Sequence, residues 1–302
     1  MLNRADFKQV SLNDRDIFAR QYQKFPQVHS DNTFTNMVCW NHYADYRYVY
    51  IKNNIILSST INKKIRYRPP IGPRNPELLE DLVNLAIRSD DDFPITILDQ
   101  ATRKWISESY PGLSFHPERN YFDYVYLTSD LATLPGKKYL TIRHQLNQFL
   151  RNCSPVVEYI TNENAEEVQE FLEQWCEWKD CDSEPVLANE KEAVYFALSH
   201  HSELKLSGLA IRAKGNIMAM SLFEGLNKDT AVVHFEKGLL ECKGIYRAIN
   251  AETAKFLIGK YIYINRESDM GIEGIREAKM RYHPDHLEEV YLIKREELEK
   301  IS

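Results

Sequence analysis

Apolar and polar positions change period several times along the chain, and each change marks an element. In SLNDRDIFARQYQKF, Ser11 is followed by Asp14, and Ile17, Phe18 and Tyr22 recur at helical spacing, which predicts a capped amphipathic helix. From Tyr46 to Arg68 the pattern becomes alternating, with YRYVYI and NNIILSSTI joined at an Asn-Asn turn signal, and predicts strands. PPIGPRNP breaks the chain and PELLEDLVNLAIRS restarts it as a helix with proline in its first turn. FPITILD then reads as a short strand, ATRKWISESY as a helix and NYFDYVYLT as an alternating strand.

The second half repeats this order. TNENAEEVQEFLEQWCEW places Val168, Phe171, Leu172 and Trp175 on one helical stripe. LKLSGLAIRAKGNIMAMSLFEGLNKDTAVVHFEKG predicts a three-strand meander with turns at AKGN and LNKD. YRAINAETAKFLIGK follows as a helix, YIYINRE as a strand, EGIREAKMRYH as a helix and HLEEVYLIK as a final strand. A meander followed by strand–helix–strand makes a mixed sheet with helices on its faces, so the expected fold class is α/β with mixed sheets. The repeat suggests duplication: a first domain over 1–133, a basic helical connector over 134–152 and a second domain over 153–302.

Composition narrows the function classes. Of 302 residues, 43% are hydrophobic and 12% aromatic, as in a folded globular protein. Five widely spaced cysteines exclude a disulfide scaffold and lack zinc-site spacing, so no metal is expected. The N-terminus has no apolar signal-peptide core and no window approaches a membrane span, which predicts a soluble, cytoplasmic protein. A net charge of −6 argues against nucleic acid until it is divided. Residues 1–150 hold 19 Lys/Arg against 16 Asp/Glu, and residues 151–302 hold 19 against 28. Tyr46–Pro76 contains seven bases and no acid, among them Lys63, Lys64, Arg66 and Arg68, interleaved with tyrosines. Leu131–Val157 is also free of acid and contains Lys137, Lys138 and Arg143. Such stretches suit phosphate neutralisation and base stacking. They equally suit a basic face paired with the acidic half.

The densest chemistry lies in YINRESDMGIEGIREAKMRYHPDH, residues 263–286. Asn265 to Gly274 reads as a strand-to-helix loop carrying Arg266, Glu267 and Asp269, with Arg276, Lys279 and Tyr282 on the next helix. Ligands gather at such carboxyl ends of strands. Upstream, alternation puts His234 and Glu236 on one strand face, a possible base and its orienter. The helix beginning near Tyr246 aims its N–H groups at the same mouth. Surface ion pairs and a half-exposed strand face explain the same residues without chemistry.

HFEKGLLECKGIYRAINAETAKFL and YIYINRESDMGIEGIREAKMRYHP resemble the C-terminal half of the soluble domain of phosphatidylglycerol lysyltransferases, a domain shared by soluble bacterial proteins. The whole chain resembles a tandem pair of GNAT-fold (N-acyltransferase-like) domains, with Fem-type peptidoglycan aminoacyltransferases as broader relatives. The resemblance implies an acyltransferase that takes an aminoacyl group from aminoacyl-tRNA to an amine or hydroxyl acceptor, and no bound cofactor. It implies Glu236 or Asp269 as proton acceptor and Tyr282 as donor to the leaving oxygen. It places His234, Gly244, Tyr246, Asn250, Asn265, Arg266 and Glu267 around the substrate, with Arg276 and Lys279 holding a phosphate or carboxylate. Two departures matter. The lysyltransferases carry membrane spans ahead of this domain, so a small-molecule or peptide acceptor is expected as readily as a lipid headgroup. Acetyl-CoA-using relatives need Gln/Arg-x-x-Gly-x-Gly/Ala, whereas Glu241-Cys242-Lys243-Gly244-Ile245-Tyr246 retains one glycine and puts a carboxylate beside a pyrophosphate. An acyl-CoA donor is the weaker expectation, and a non-catalytic ligand- or RNA-binding protein on the same fold is the third.

Overall fold

The computed structural model describes residues 2–301 and divides into two compact units. Unit 1 comprises the chain to Asp123, Ser268–Ile272 and the chain from Glu288 onward; unit 2 comprises Tyr124–Glu267 and Glu273–Leu287. Each is a mixed α/β unit of the GNAT-like kind expected from the sequence. The expected boundaries are not those observed. The segment expected as a connector is mainly the helix Leu140–Cys153, which belongs to unit 2 and buries Ile142, Leu146, Phe149 and Cys153.

In unit 1 the strands β1 (Lys8–Gln9), β2 (Arg47–Ile51), β3 (Asn54–Ile61) and β4 (Lys64–Tyr67) run antiparallel in sequence. Lys52–Asn53 and Asn62–Lys63 turn the two hairpins, all four with positive φ, the left-handed pairs that match strand twist in two-residue loops. β5 (Ile95–Leu98) lies parallel to β4, and β6 (His116–Pro117) is at the far edge. Leu78, Leu79, Leu82 and Val83 of the helix Pro76–Ile87 and Trp105 and Ile106 of Gln100–Ser109 join Ile56, Ile95 and Leu98 in one core. A second aromatic cluster sets Phe18 against Tyr48, ring centroids 5.0 Å apart, and against Phe34 at 5.2 Å.

In unit 2 the strand β7 (Asp123–Leu127) enters a sheet whose meander is β8 (Val156–Tyr159), β9 (Ser207–Ala213), β10 (Asn216–Gly225) and β11 (Thr230–Gly238). β12 (Tyr263–Asn265) runs parallel to β11, and β13 (His286–Glu288) borders β7. Alternation assigns the two faces. Ser221, paired with Glu236, reaches Thr253 of the helix Ile245–Leu257 through a 2.6 Å hydroxyl contact. The next pair, Met220 and Lys237, turns to the other face, where Lys237 lies 4.2 Å from the Trp175 ring on the helix Ala165–Lys179.

The last strand of the chain, β14 (Tyr291–Ile293), sits between β5 and β6 in the first sheet, antiparallel to both. β7 holds the corresponding place in the second sheet, between β12 and β13. Each seven-stranded sheet is thus completed by a strand from the other half of the sequence. The matching strand orders, β1-β2-β3-β4-β5-β14-β6 and β8-β9-β10-β11-β12-β7-β13, carry the duplication that the element order suggested.

Candidate functional site

Pairing of β11 with β12 begins at Thr230 and Tyr263 and stops at Val232 and Asn265. Beyond that point β11 continues to Gly238, with Phe235 to Gly238 paired on its β10 side and none on its β12 side among the described residues. The strands part, and polar side chains of unit 2 occupy the opening. Glu236 of β11 accepts from Arg266 Nη2 at 2.9 Å. With the Asn250 amide oriented to place its oxygen towards Arg266, that oxygen accepts from Nε at 3.1 Å and Nη1 at 3.3 Å. The side chains of Arg266 and Glu236 remain 14% and 11% exposed, so the pair is dry on most sides but reachable from one.

Aromatic rings line the guanidinium. Arg266 lies 5.0 Å from the Tyr282 ring centroid and 5.9 Å from that of Tyr126. Arg247, from the first turn of Ile245–Leu257, lies 5.1 Å from the same Tyr282 ring and donates from Nε to Gln145 Oε1 at 3.0 Å. Tyr282 is 2% exposed, its hydroxyl oxygen faces Arg247, and no acceptor among the described residues meets the phenol proton. Burial raises its pKa against the opposing pull of Arg247 and Arg266, so the phenol keeps its proton. Tyr282 was expected on a helix face with Arg276 and Lys279. The helix ends at Met280, and Tyr282 stands in the turn behind it, its N–H donating to the Lys279 carbonyl.

The expected pairing of His234 with Glu236 does not form. Register slips between Leu222 and Phe223, whose partners are Phe235 and Val233, leaving His234 as the extra residue of a β-bulge. A bulge breaks strict alternation and re-aims a side chain. His234 is held by Glu224 Oε1 at 2.9 Å through Nε2 and by Glu267 Oε1 at 2.8 Å through Nδ1. Burial opposes its charge, yet hydrogen bonds to the two carboxylates raise its pKa to about 9. His234 is therefore a protonated clamp between β10 and the loop after β12, and not a free base.

That loop is organised by its own residues. Asn265 Oδ1 accepts from the Glu267 N–H at 2.7 Å, and Glu267 takes a left-handed φ of 58°. Lys279, expected to hold a substrate anion, donates instead to the carbonyls of Arg266 at 2.6 Å and Glu267 at 3.0 Å. Arg276 lies half-buried on the same helix. Asp269, expected as a proton acceptor, is fully buried in unit 1, paired with Arg119 at 3.1 Å and accepting from the Gly271 N–H at 2.9 Å. Its partners fix a turn in unit 1.

Gly244 caps Ile245–Leu257 at a φ of +99°, and a Cβ there would stand 2.6 Å from the Gln145 carbonyl oxygen and 3.1 Å from Phe149 Cβ. The glycine is a close-packing device against Leu140–Cys153. Gly244→Ala should lower stability by about 1–3 kcal/mol, read as a fall in urea midpoint. A change below the error of the midpoint would show that the two helices separate at no cost. Tyr246, expected near substrate, accepts from Trp175 Nε1 at 3.1 Å.

The acid-free basic stretches are not acid-free in space. Arg66 pairs with Asp91 at 2.8 Å, Lys64 with Asp92 at 4.0 Å and Lys52 with Glu77 at 2.8 Å. Arg68 is buried, donating to the Asp31 carbonyl and, at 2.9 Å, to Asn32 Oδ1. Lys138 meets Asp130 at 3.0 Å, and Arg143 donates to the carbonyls of Leu134 and, at 2.6 Å, Gly136. Only Lys63 and Lys137, of the seven bases singled out, are exposed with no partner among the described residues. The neutralising acids belong to adjoining segments of the same unit, and not to an opposed acidic half.

Glu224, Arg247, Tyr126 and Gln145 were not singled out from the sequence. Arg247 had a signal, since it stands three residues before Asn250 on one helix face. Tyr126 had none, because nothing local places β7 in the second sheet.

Residues 22–294 match the family model described as phosphatidylglycerol lysyltransferase, C-terminal. A conserved protein of unknown function from Bacteroides thetaiotaomicron is 31% identical, with a TM-score of 0.89 over 95% of this chain and 99% of that one. L-PGS from Bacillus licheniformis is 11% identical and shares the fold, with a TM-score of 0.66 over 95% of this chain and 93% of that one. The uncharacterized protein MYCGA3080 of Mycoplasmoides gallisepticum is 22% identical over 242 residues, 77% of this chain and 75% of that protein. No helix among the described residues is long and apolar enough to cross a membrane.

Proposed function

Since the chain belongs to the phosphatidylglycerol lysyltransferase C-terminal family, we propose that it is an aminoacyltransferase, moving an aminoacyl group from aminoacyl-tRNA to an amine or hydroxyl acceptor in the cytoplasm. The observation that carries this reading is the parting of β11 from β12 around the Glu236–Arg266 pair. The opening holds a carboxylate with a reachable edge, a fixed guanidinium beside it and aromatic walls. That is the equipment for positioning an ester against a nucleophile.

In the proposed reaction the acceptor amine attacks the ester carbonyl carbon. A C–N bond forms, and the C–O bond to the terminal ribose of the tRNA breaks. The proton released by the amine passes to Glu236, directly or through one water, and returns to the departing ribose oxygen. Arg266 holds Glu236 in place, and Asn250 holds Arg266. An acyl-CoA donor has less support. Glu241 stands where such a site needs a neutral or positive residue, and the backbone at Gly244 is packed on Gln145 and Phe149.

The test is incubation of the protein with a pool of radiolabelled aminoacyl-tRNAs and cell extract. Label is expected in a new product that survives base treatment when the acceptor is an amine. Pre-treatment of the pool with ribonuclease should abolish it. Transfer from acetyl-CoA, with none from the tRNA pool, would replace this reading with the acyl-CoA one.

A further inference from the structure

The geometry points to an oxyanion-binding position in unit 2, formed by the Arg247 guanidinium and the Tyr282 hydroxyl beside Arg266, that receives a phosphate or carboxylate group of a substrate. The position lies in the same opening and deepens the transfer reading, on which the word substrate rests; the binding itself does not need it.

Three observations converge there. The first is the Tyr282 phenol, which is 2% exposed and has a proton without an acceptor among the described residues. Buried hydroxyls are almost always satisfied, and one that is not calls for a missing partner. The charged groups acting on that hydroxyl are Arg247, Arg266 and Glu236, so it faces this cluster. The second is charge. Glu236 answers Arg266, whereas Arg247 meets neutral groups, the Gln145 amide and the Tyr282 hydroxyl. Two guanidinia at 5.0 and 5.1 Å from one ring therefore share one carboxylate. The third is placement. Arg247 stands in the first turn of the 13-residue helix Ile245–Leu257, where the helix end adds its own positive potential.

The chemistry of the ligand follows from the donors. A phenol that keeps its proton and a guanidinium fork both donate, and neither suits a cation or a second donor. A planar or tetrahedral oxyanion accepts from both at once, and arginine matches either in bidentate fashion. Two sources supply such a group: a phosphodiester next to the donor's terminal ribose, or a carboxylate on the acceptor.

Calorimetric titration of the full chain at low salt with inorganic phosphate, 5′-AMP and acetate separates them. One saturable site is expected for at least one probe, weakened about tenfold or more by Arg247→Gln and roughly threefold or more by Tyr282→Phe. Tyr282→Phe should stay folded, because the hydroxyl it deletes gives its proton to no acceptor and the ring keeps its place against Arg247 and Arg266. It therefore keeps the test valid if Arg247→Gln unfolds. Phosphate or 5′-AMP binding without acetate binding assigns the position to the donor, and the reverse assigns it to a carboxylate acceptor. Absence of saturable binding by all three probes, or binding unchanged in Tyr282→Phe, overturns the position. Anion binding without any aminoacyl transfer would leave the position standing while removing the transfer reading, and transfer without anion binding would do the opposite.

Discussion

Glu236→Gln is expected to slow aminoacyl transfer by about 10²–10⁴-fold, the range for loss of a positioned proton acceptor, with the fold preserved. The glutamine carbonyl still accepts from Arg266, so the 2.9 Å contact survives without its charge. Single-turnover rates with a fixed aminoacyl-tRNA measure the effect. A loss smaller than about threefold would remove Glu236 from proton transfer. The partner variant separates chemistry from packing. Arg266→Ala strands a carboxylate that is 11% exposed, and breaking such a pair costs about 3–5 kcal/mol. Urea denaturation should show that cost for Arg266→Ala and much less for Glu236→Gln. If both variants lost equal stability, the pair would be a structural bridge and its kinetic effect would follow from unfolding.

Alkaline pH should weaken the native state through His234. Its folded pKa of about 9 lies above the ordinary histidine value, held there against burial by Glu224 and Glu267. A raised folded pKa means that the native state binds the proton more tightly than the unfolded chain. The stabilisation is therefore complete below about pH 6.5 and is lost as pH rises through about 9, a change of roughly 3 kcal/mol. Denaturation midpoints of the wild type and His234→Gln at pH 6, 7.5 and 9 isolate the contribution. The wild-type advantage should shrink across that series. A constant difference would mean that His234 is neutral in the fold and bonds its two glutamates in another protonation pattern.

Local signals proved readable where the determinant was local. The turns at AKGN and LNKD fall between β9, β10 and β11, and Lys214 and Gly215 both take positive φ. The capping box of Ser11 and Asp14 is present, on the 3-10 turn Leu12–Asp14 that leads into the helix Arg15–Lys24. The Asn-Asn signal was displaced by one residue, to Lys52–Asn53. What alternation alone cannot reveal is an extra residue, and the bulge at His234 undid its pairing with Glu236. HLEEVYLIK reads as one strand but is β13 and β14, three residues each in different sheets, because pairing partners far along the chain decide membership. The helix Pro185–Ser199 gave a weak signal, since only Ala193, Val194, Ala197 and Leu198 near its end are buried. The basic stretches misled because their neutralising acids lie just outside the window: Asp130 directly precedes one stretch, and Asp91 and Asp92, some 25 residues on, fold back against the other.

The placement of β14 has a consequence for synthesis. Among the described residues β6 pairs with β14 and with no other strand, and β14 is made from residues 291–293. A nascent chain therefore carries a first sheet with an open edge until residues 291–293 have left the ribosome. During that interval β5 offers an unpartnered ladder to any passing strand, a hazard for edge-to-edge association. The order of elements along the chain thus makes closure of the first sheet wait for a strand that follows every strand of the second.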